Sequence, residues 1–155
     1  MKLALRTGAL LAGATVLLGC ATGGSKMGTA DAIKARQDLM KEQGAALRAM
    51  NEKVKGGQAQ AIGPEAEKLA RTARQIAPLF PQGSLDPNTS RAKPEIWQKW
   101  SEFEGYAKTL ETKASQLASS SKTASADATA AAVADLGRTT CGACHNAFRG
   151  PEIKK

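Results

Sequence analysis

The chain has 155 residues, a formal net charge of +8 and only 4% aromatic residues. That length is enough for one domain with a real core. No segment alternates apolar and polar residues as a half-buried strand would, and β-branched residues do not cluster, so an all-α fold is expected. The basic excess is not gathered into a Lys/Arg block with interleaved aromatics. Charges alternate in sign, as in "EAEKLARTAR", which is the pattern of a solvated helix face and excludes nucleic acid as a partner.

The N-terminus "MKLALRTGALLAGATVLLGC" has a basic start at Lys2 and Arg6, a short apolar run and then small residues. It reads as an export signal, too short to span a membrane. Within it, "LLGC" (Leu17 to Cys20) resembles the lipobox of bacterial lipoproteins. There the chain is cut before the cysteine and the sulfur receives lipid. Residues 1–19 are therefore read as a lipoprotein-type signal and Cys20 as a lipid anchor, with cleavage after Ala21 as the alternative. Either route delivers the chain out of the cytoplasm. With Ala21 after Cys20, the anchored form is expected at the outer membrane, facing the periplasm. Loss of residues 1–19 removes two basic and no acidic residues, which lowers the net charge to +6. Residues 20–30, with the Gly-rich "ATGGSKMGTA", read as a flexible tether.

Four amphipathic helices are expected over residues 31–155. The first, Asp31 to Lys55, carries a stripe of Ile33, Met40, Leu47, Met50 and Val54 and stops at "KGG". The second starts at Pro64, a favoured first-turn residue, with a stripe of Ile62, Ala66, Leu69, Ala73, Ile76 and Phe80. The Pro/Gly/Asn/Ser-rich "PLFPQGSLDPNTSRAKP" reads as a long connection. The third starts near Pro94, with Ile96, Trp100, Phe103, Ala107, Leu110, Ala114 and Leu117. The fourth follows "ASSSKTASAD" and runs through Val133, Leu136, Thr140, Cys144 and Phe148. This arrangement is that of an antiparallel four-helix bundle.

The chemistry concentrates in "TTCGACHNAFRG", where Cys141, Cys144 and His145, the chain's single histidine, occupy five positions. On a helix, positions i and i+3 share a face and i+4 lies beside them. C-x-x-C-H is the attachment pattern of c-type haem. Two thiols add to the two vinyl groups on the porphyrin edge, and the adjacent imidazole reaches the iron. Other readings fit less well. A thioredoxin-type C-x-x-C expects a βαβ scaffold. A structural zinc site expects four ligands. One covalent haem c near the C-terminus of the last helix is the expected cofactor.

A four-helix bundle with C-x-x-C-H near its end resembles the class II c-type cytochromes, the cytochrome c prime family. "DAIKARQDLMK" is similar to the family's first helix, "KPEIW" to the start of its third, and "CGACHNAFR" to its haem motif. The resemblance implies Cys141 and Cys144 as thioether anchors and His145 as axial iron ligand. It implies that Arg36 pairs with a haem propionate, assisted by Gln37. The alternative for Arg36 is a solvent-facing helix charge. Arg149 matches a basic residue near the His145 side of the haem, and Phe148 is explained by core packing alone. The resemblance also implies a homodimer formed through the first two helices.

Met40 decides the functional class. The resemblance places it over the haem face opposite His145, where a methionine sulfur ligates iron in low-spin members; filling a core gap is the alternative. Met50, ten residues or about three turns further along, reads as core. The expectation is an electron carrier with His145/Met40 ligation that exchanges electrons with redox partner proteins. The alternative is a high-spin protein that binds nitric oxide or carbon monoxide at five-coordinate iron. An enzyme is not expected, because the lone histidine is committed to the iron and leaves no imidazole for acid/base work.

Overall fold

The computed structural model describes residues 27–153. The signal expected over residues 1–19, the lipid anchor expected at Cys20 and the expected tether up to residue 26 lie outside the described residues. The architecture is the expected all-α, antiparallel four-helix bundle. Its first arm is α1 (Thr29–Lys55), and its second is α2 (Gly63–Ala73), flanked by 3-10 turns at Ala59–Ile62 and Ala77–Leu79. The third is α3 (Glu95–Gln98) followed by α4 (Trp100–Ser120). The fourth is α5 (Ala126–Leu136), a π-helical turn (Gly137–Gly142) and α6 (Ala143–Phe148). Around the bundle α1 packs on α2, α2 on α4, α4 on α5 and α5 back on α1.

The helix ends follow local chemistry. After α1, Gly57 takes a φ of +74° that a side chain would resist. Lys53 Nζ fastens this turn by donating to Ala61 O at 2.9 Å and to the Glu65 carboxylate at 2.7 Å. Ser125 caps α5 through Oγ, which accepts from the Ala128 N–H at 3.2 Å.

Every residue of the second expected stripe is buried: Ile62, Ala66, Leu69, Ala73, Ile76 and Phe80. The regular helix nevertheless ends at Ala73, and Pro78 lies within the following 3-10 turn. Proline disfavours helical angles at the residue before it. In α1 the buried row is Ala32, Ile33, Arg36, Leu39, Gln43, Ala46 and Met50. Met40, Leu47 and Val54 flank this row and are partly buried, so of the expected stripe Ile33 and Met50 fall in the buried row and the other three lie along its edge. Met50 is fully buried, as expected of a core residue. The third helix breaks at Lys99, which leaves helical angles at φ −117°, ψ 45°.

The six aromatic residues of the chain form one connected cluster at one end of the bundle. Phe80 meets Phe103 edge-on at 4.8 Å, and Phe103 meets Phe148 at 5.5 Å. Trp97, Trp100 and Tyr106 join through Phe80, Phe103 and Phe148 in turn. Such edge contacts add to the burial of large apolar surface.

Candidate haem-binding site

At the aromatic end the bundle encloses a cavity of about 310 Å³. From α1 it is lined by Arg36, Gln37, Met40 and Lys41. The fourth arm contributes Cys141, Cys144, His145 and Phe148. Phe80, Phe103, Tyr106 and Ile96 complete an apolar interior. The fold therefore brings all six residues expected from the sequence to one cavity, in two groups on different helices.

The cysteines are free thiols, each half-buried. Burial pushes the Cys141 thiol up, and burial with the neighbouring Cys141 charge pushes Cys144 up to about 11. Both are thus protonated thiols at neutral pH. Burial, followed by the positive charges of Arg149 and Arg91, pushes His145 down, which favours the neutral imidazole that binds iron. Among the described residues no group of three His, Cys, Asp or Glu side chains is placed to hold a bare metal ion, which leaves no support for the zinc alternative. Two thiols, a neutral imidazole and an apolar cavity of ligand size suit a large flat cofactor carrying its own metal.

Arg36 is not the solvent-facing charge of the alternative reading: it is 3% exposed. Its guanidinium donates to Ser84 Oγ at 3.0 Å, Ser84 O at 2.8 Å and Ser90 Oγ at 2.7 Å, and lies 4.7 Å from the centre of the Phe80 ring. Burial pushes its pKa down from an ordinary value high enough that it stays charged. Gln37 Nε2 donates to Thr89 O at 2.7 Å. Both side chains therefore tie α1 to the connection between Phe80 and Pro94.

That connection, read from the sequence as a plain linker, is a strap across the cavity. Its far end pairs with the chain after α6. Ala92 and Arg149 form an isolated antiparallel bridge. Gly150 N–H donates to Arg91 O at 2.7 Å and Lys93 N–H to Phe148 O at 3.0 Å. Lys93 Nζ reaches Ala147 O at 3.0 Å. The strap thus links the Arg36 helix to the end of the His145 helix, and its Ser90, Arg91 and Ala92 line the cavity. Sequence reasoning missed it because every partner is about 50 residues away along the chain.

A profile of the family described as Cytochrome C' matches residues 31–149. The chain belongs to the cytochrome c prime family. Members carry a single covalent c-type haem, and the chain is a haem-binding c-type cytochrome. Solved structures agree. Cytochrome c prime from Thermochromatium tepidum is 25% identical, with a TM-score of 0.68 over 82% of this chain and all of that one. A ferrous variant of cytochrome c prime from Alcaligenes xylosoxidans is 25% identical, with a TM-score of 0.69 over 81% of this chain and 98% of that one. Cytochrome c prime from Shewanella frigidimarina, 24% identical with a TM-score of 0.70 over 80% of this chain and 98% of that one, shows the same fold. No curated protein sequence matches the chain. Family members are periplasmic and often dimeric, and among the described residues no helix is long and apolar enough to cross a membrane.

Proposed function

We propose that this cytochrome c prime binds a diatomic gas, nitric oxide or carbon monoxide, and is not an enzyme. His145 is the one protein ligand to iron in this reading. Cys141 and Cys144 anchor the cofactor, and Arg36 receives a propionate through the N–H groups that its serine bonds leave over, with Gln37 beside it. When bound, the haem supplies an iron that can hold a small ligand on the side away from His145. Met40 then forms part of an apolar wall, while Phe80, Phe103 and Phe148 keep water from the cavity.

The observation that carries this reading is the likeness to relatives solved with such ligands. A ferrous variant from A. xylosoxidans, 25% identical over 80% of this chain, was solved with bound NO. A second variant of that protein, 26% identical, was solved as its nitric oxide complex. The electron-carrier reading, with Met40 as sixth ligand and redox proteins as partners, keeps one observation in its favour: Met40 and His145 line the same cavity from different helices. Export, with Cys20 as lipid anchor, remains the sequence-based proposal for location.

The two readings separate in an optical experiment. The ferrous protein should be high-spin, with a broad reduced spectrum, and should take up carbon monoxide fully. Sharp low-spin bands, a far-red ferric band of sulfur ligation and slow carbon monoxide binding that Met40→Ala accelerates would establish the carrier.

A further inference from the structure

In the fourth arm, the inward positions Thr129, Val133, Leu136, Thr140, Cys144 and Phe148 are spaced four, three, four, four and four apart. An α-helix turns about 100° per residue, so three successive steps of four put Phe148 about 120° round the axis from Leu136. Yet Leu136 and Phe148 belong to the same core, at 1% and 4% exposure. The π-turn Gly137–Gly142 absorbs this drift, because i→i+5 winding takes more residues per turn. Cys141 lies inside that turn, whereas Cys144 and His145 lie in the regular α6. The two thiols therefore stand on opposite sides of a change in helix winding.

Two side chains hold the turn. Thr140 is buried, and its Oγ1 donates to Leu136 O at the start of the π segment while lying 4.0 Å from Cys141 Sγ. From outside, Lys113 Nζ on α4 donates to Thr139 Oγ1 and to Asp135 Oδ2, both at 2.8 Å. Thr139 Oγ1 in turn donates to Asp135 O at 2.9 Å. Gly142 closes the turn where a Cβ would stand 3.4 Å from Gly137 O.

We infer that Thr140 and Lys113 are positioning residues for haem attachment: they hold the π-turn that presents the Cys141 thiol to the cavity in register with Cys144. This rests on the thioether roles of the two cysteines. Attachment joins each sulfur to one vinyl carbon and moves the thiol hydrogen to the other, with nothing released and no electron exchanged. Loss of the turn leaves Cys144 and His145 in place and withdraws Cys141, so the product carries one thioether and one free thiol.

The test compares wild type, Thr140→Val, Thr140→Ser, Lys113→Met and Lys113→Arg, matured in a periplasm with haem-attachment machinery. Denatured holoproteins are alkylated with iodoacetamide, and free thiols are counted and located by mass spectrometry. The reduced pyridine spectrum reports any unreacted vinyl group as a shift of the α band to longer wavelength. Wild type, Thr140→Ser and Lys113→Arg should carry two thioethers. Thr140→Val should raise the singly attached fraction several-fold, with the free thiol at Cys141, and Lys113→Met should do so more weakly. Full double attachment in both Thr140→Val and Lys113→Met, or free thiols divided evenly between the cysteines, would overturn the inference. If Thr140→Val accumulates no holoprotein, Lys113→Met decides, since its partly exposed ion pair is of little consequence for folding. Absence of covalent haem from the wild type would instead overturn the thioether roles themselves.

Discussion

The two helical arms that face each other across the cavity solve different problems. The arm α1 is one unbroken helix of 27 residues, and from Ile33 to Met50 its buried row steps by three and four. The fourth arm covers Ala126–Phe148 in three windings, with steps of four in succession. On α1 even polar residues obey the helical period: Arg36 and Gln43 are buried and each finds hydrogen-bond partners. In the fourth arm two thiols, an imidazole and a core phenyl ring must all be served within eight residues, Cys141 to Phe148. A uniform helix does not aim all of them inward, so the winding changes. Regular period marks the wall of the site, and broken period marks the place where the cofactor is held.

The largest effect should come from truncation where the two regimes meet. Leu136 is 1% exposed and immediately precedes the π-turn. Leu136→Ala should cost about 2–5 kcal/mol through lost burial and the cavity it leaves. Met40→Ala, beside the buried row of α1 and not within it, should cost less than Leu136→Ala. Urea unfolding of the two holoproteins measures both; equal losses would mean that Met40 belongs to the core after all.

Arg36 comes next. Arg36→Leu removes the donors that hold Ser84 and Ser90, at a cost of about 2–3 kcal/mol for charged hydrogen bonds to a buried segment. Proteolysis should then begin within residues 81–94. Arg36→Lys should rescue little, because one ammonium cannot reproduce the planar fork. A strap that stays resistant in Arg36→Leu would show that its pairing with residues 148–150 holds it alone.

These contrasts explain what was legible in the sequence. Ile62 through Phe80 and Ile96 through Leu117 announced themselves because apolar spacing reports burial directly. Cys141, Cys144 and His145 were legible because their chemistry is local. The strap was not, since Arg36 finds Ser84 and Ser90 at separations of 48 and 54 residues. The π-turn is half visible in the sequence: the run Leu136, Thr140, Cys144, Phe148 already departs from 3.6 residues per turn. On α1 the expected stripe does not contain Leu39, which is buried beside Met40, while Met40 itself lines the cavity.

A smaller effect separates the arms in haem-free protein. The Cys144 thiol is pushed up to about 11 from an ordinary value near 9.0, chiefly by burial. The folded state therefore holds its proton more tightly than the unfolded state. Its contribution is fully present below pH 9 and is lost as pH rises towards 11. Stability of the haem-free protein should fall across that window, and Cys144→Ala should flatten the fall. Iodoacetamide should label the folded thiol more slowly than the unfolded one at pH 8. Equal labelling rates would contradict its burial.

The smallest effect uses one carboxylate on each arm. On α1, Asp38 accepts from Lys34 at 2.6 Å and Lys41 at 3.1 Å. On α5, Asp135 accepts from Lys113 at 2.8 Å. Hydrogen bonds from these lysines hold both carboxyls below their ordinary value of 3.8. Each pair is therefore intact above that pH and is lost as pH falls through the lower, folded value. Both carboxylates are exposed, so water and salt screen them and neither Asp38→Asn nor Asp135→Asn should move the unfolding midpoint appreciably in high salt. The arms part company in what the pairs hold. Lys34, Asp38 and Lys41 lie along one regular helix that keeps its winding without them. Lys113 and Asp135 join two helices beside Thr139 and the π-turn. Asp135→Asn should therefore raise the singly attached haem fraction while Asp38→Asn leaves it at the wild-type value. Thiol counting on the two denatured holoproteins reads the difference, and equal attachment in both would reduce the Asp135 pair to the same solvated surface charge as its counterpart on α1.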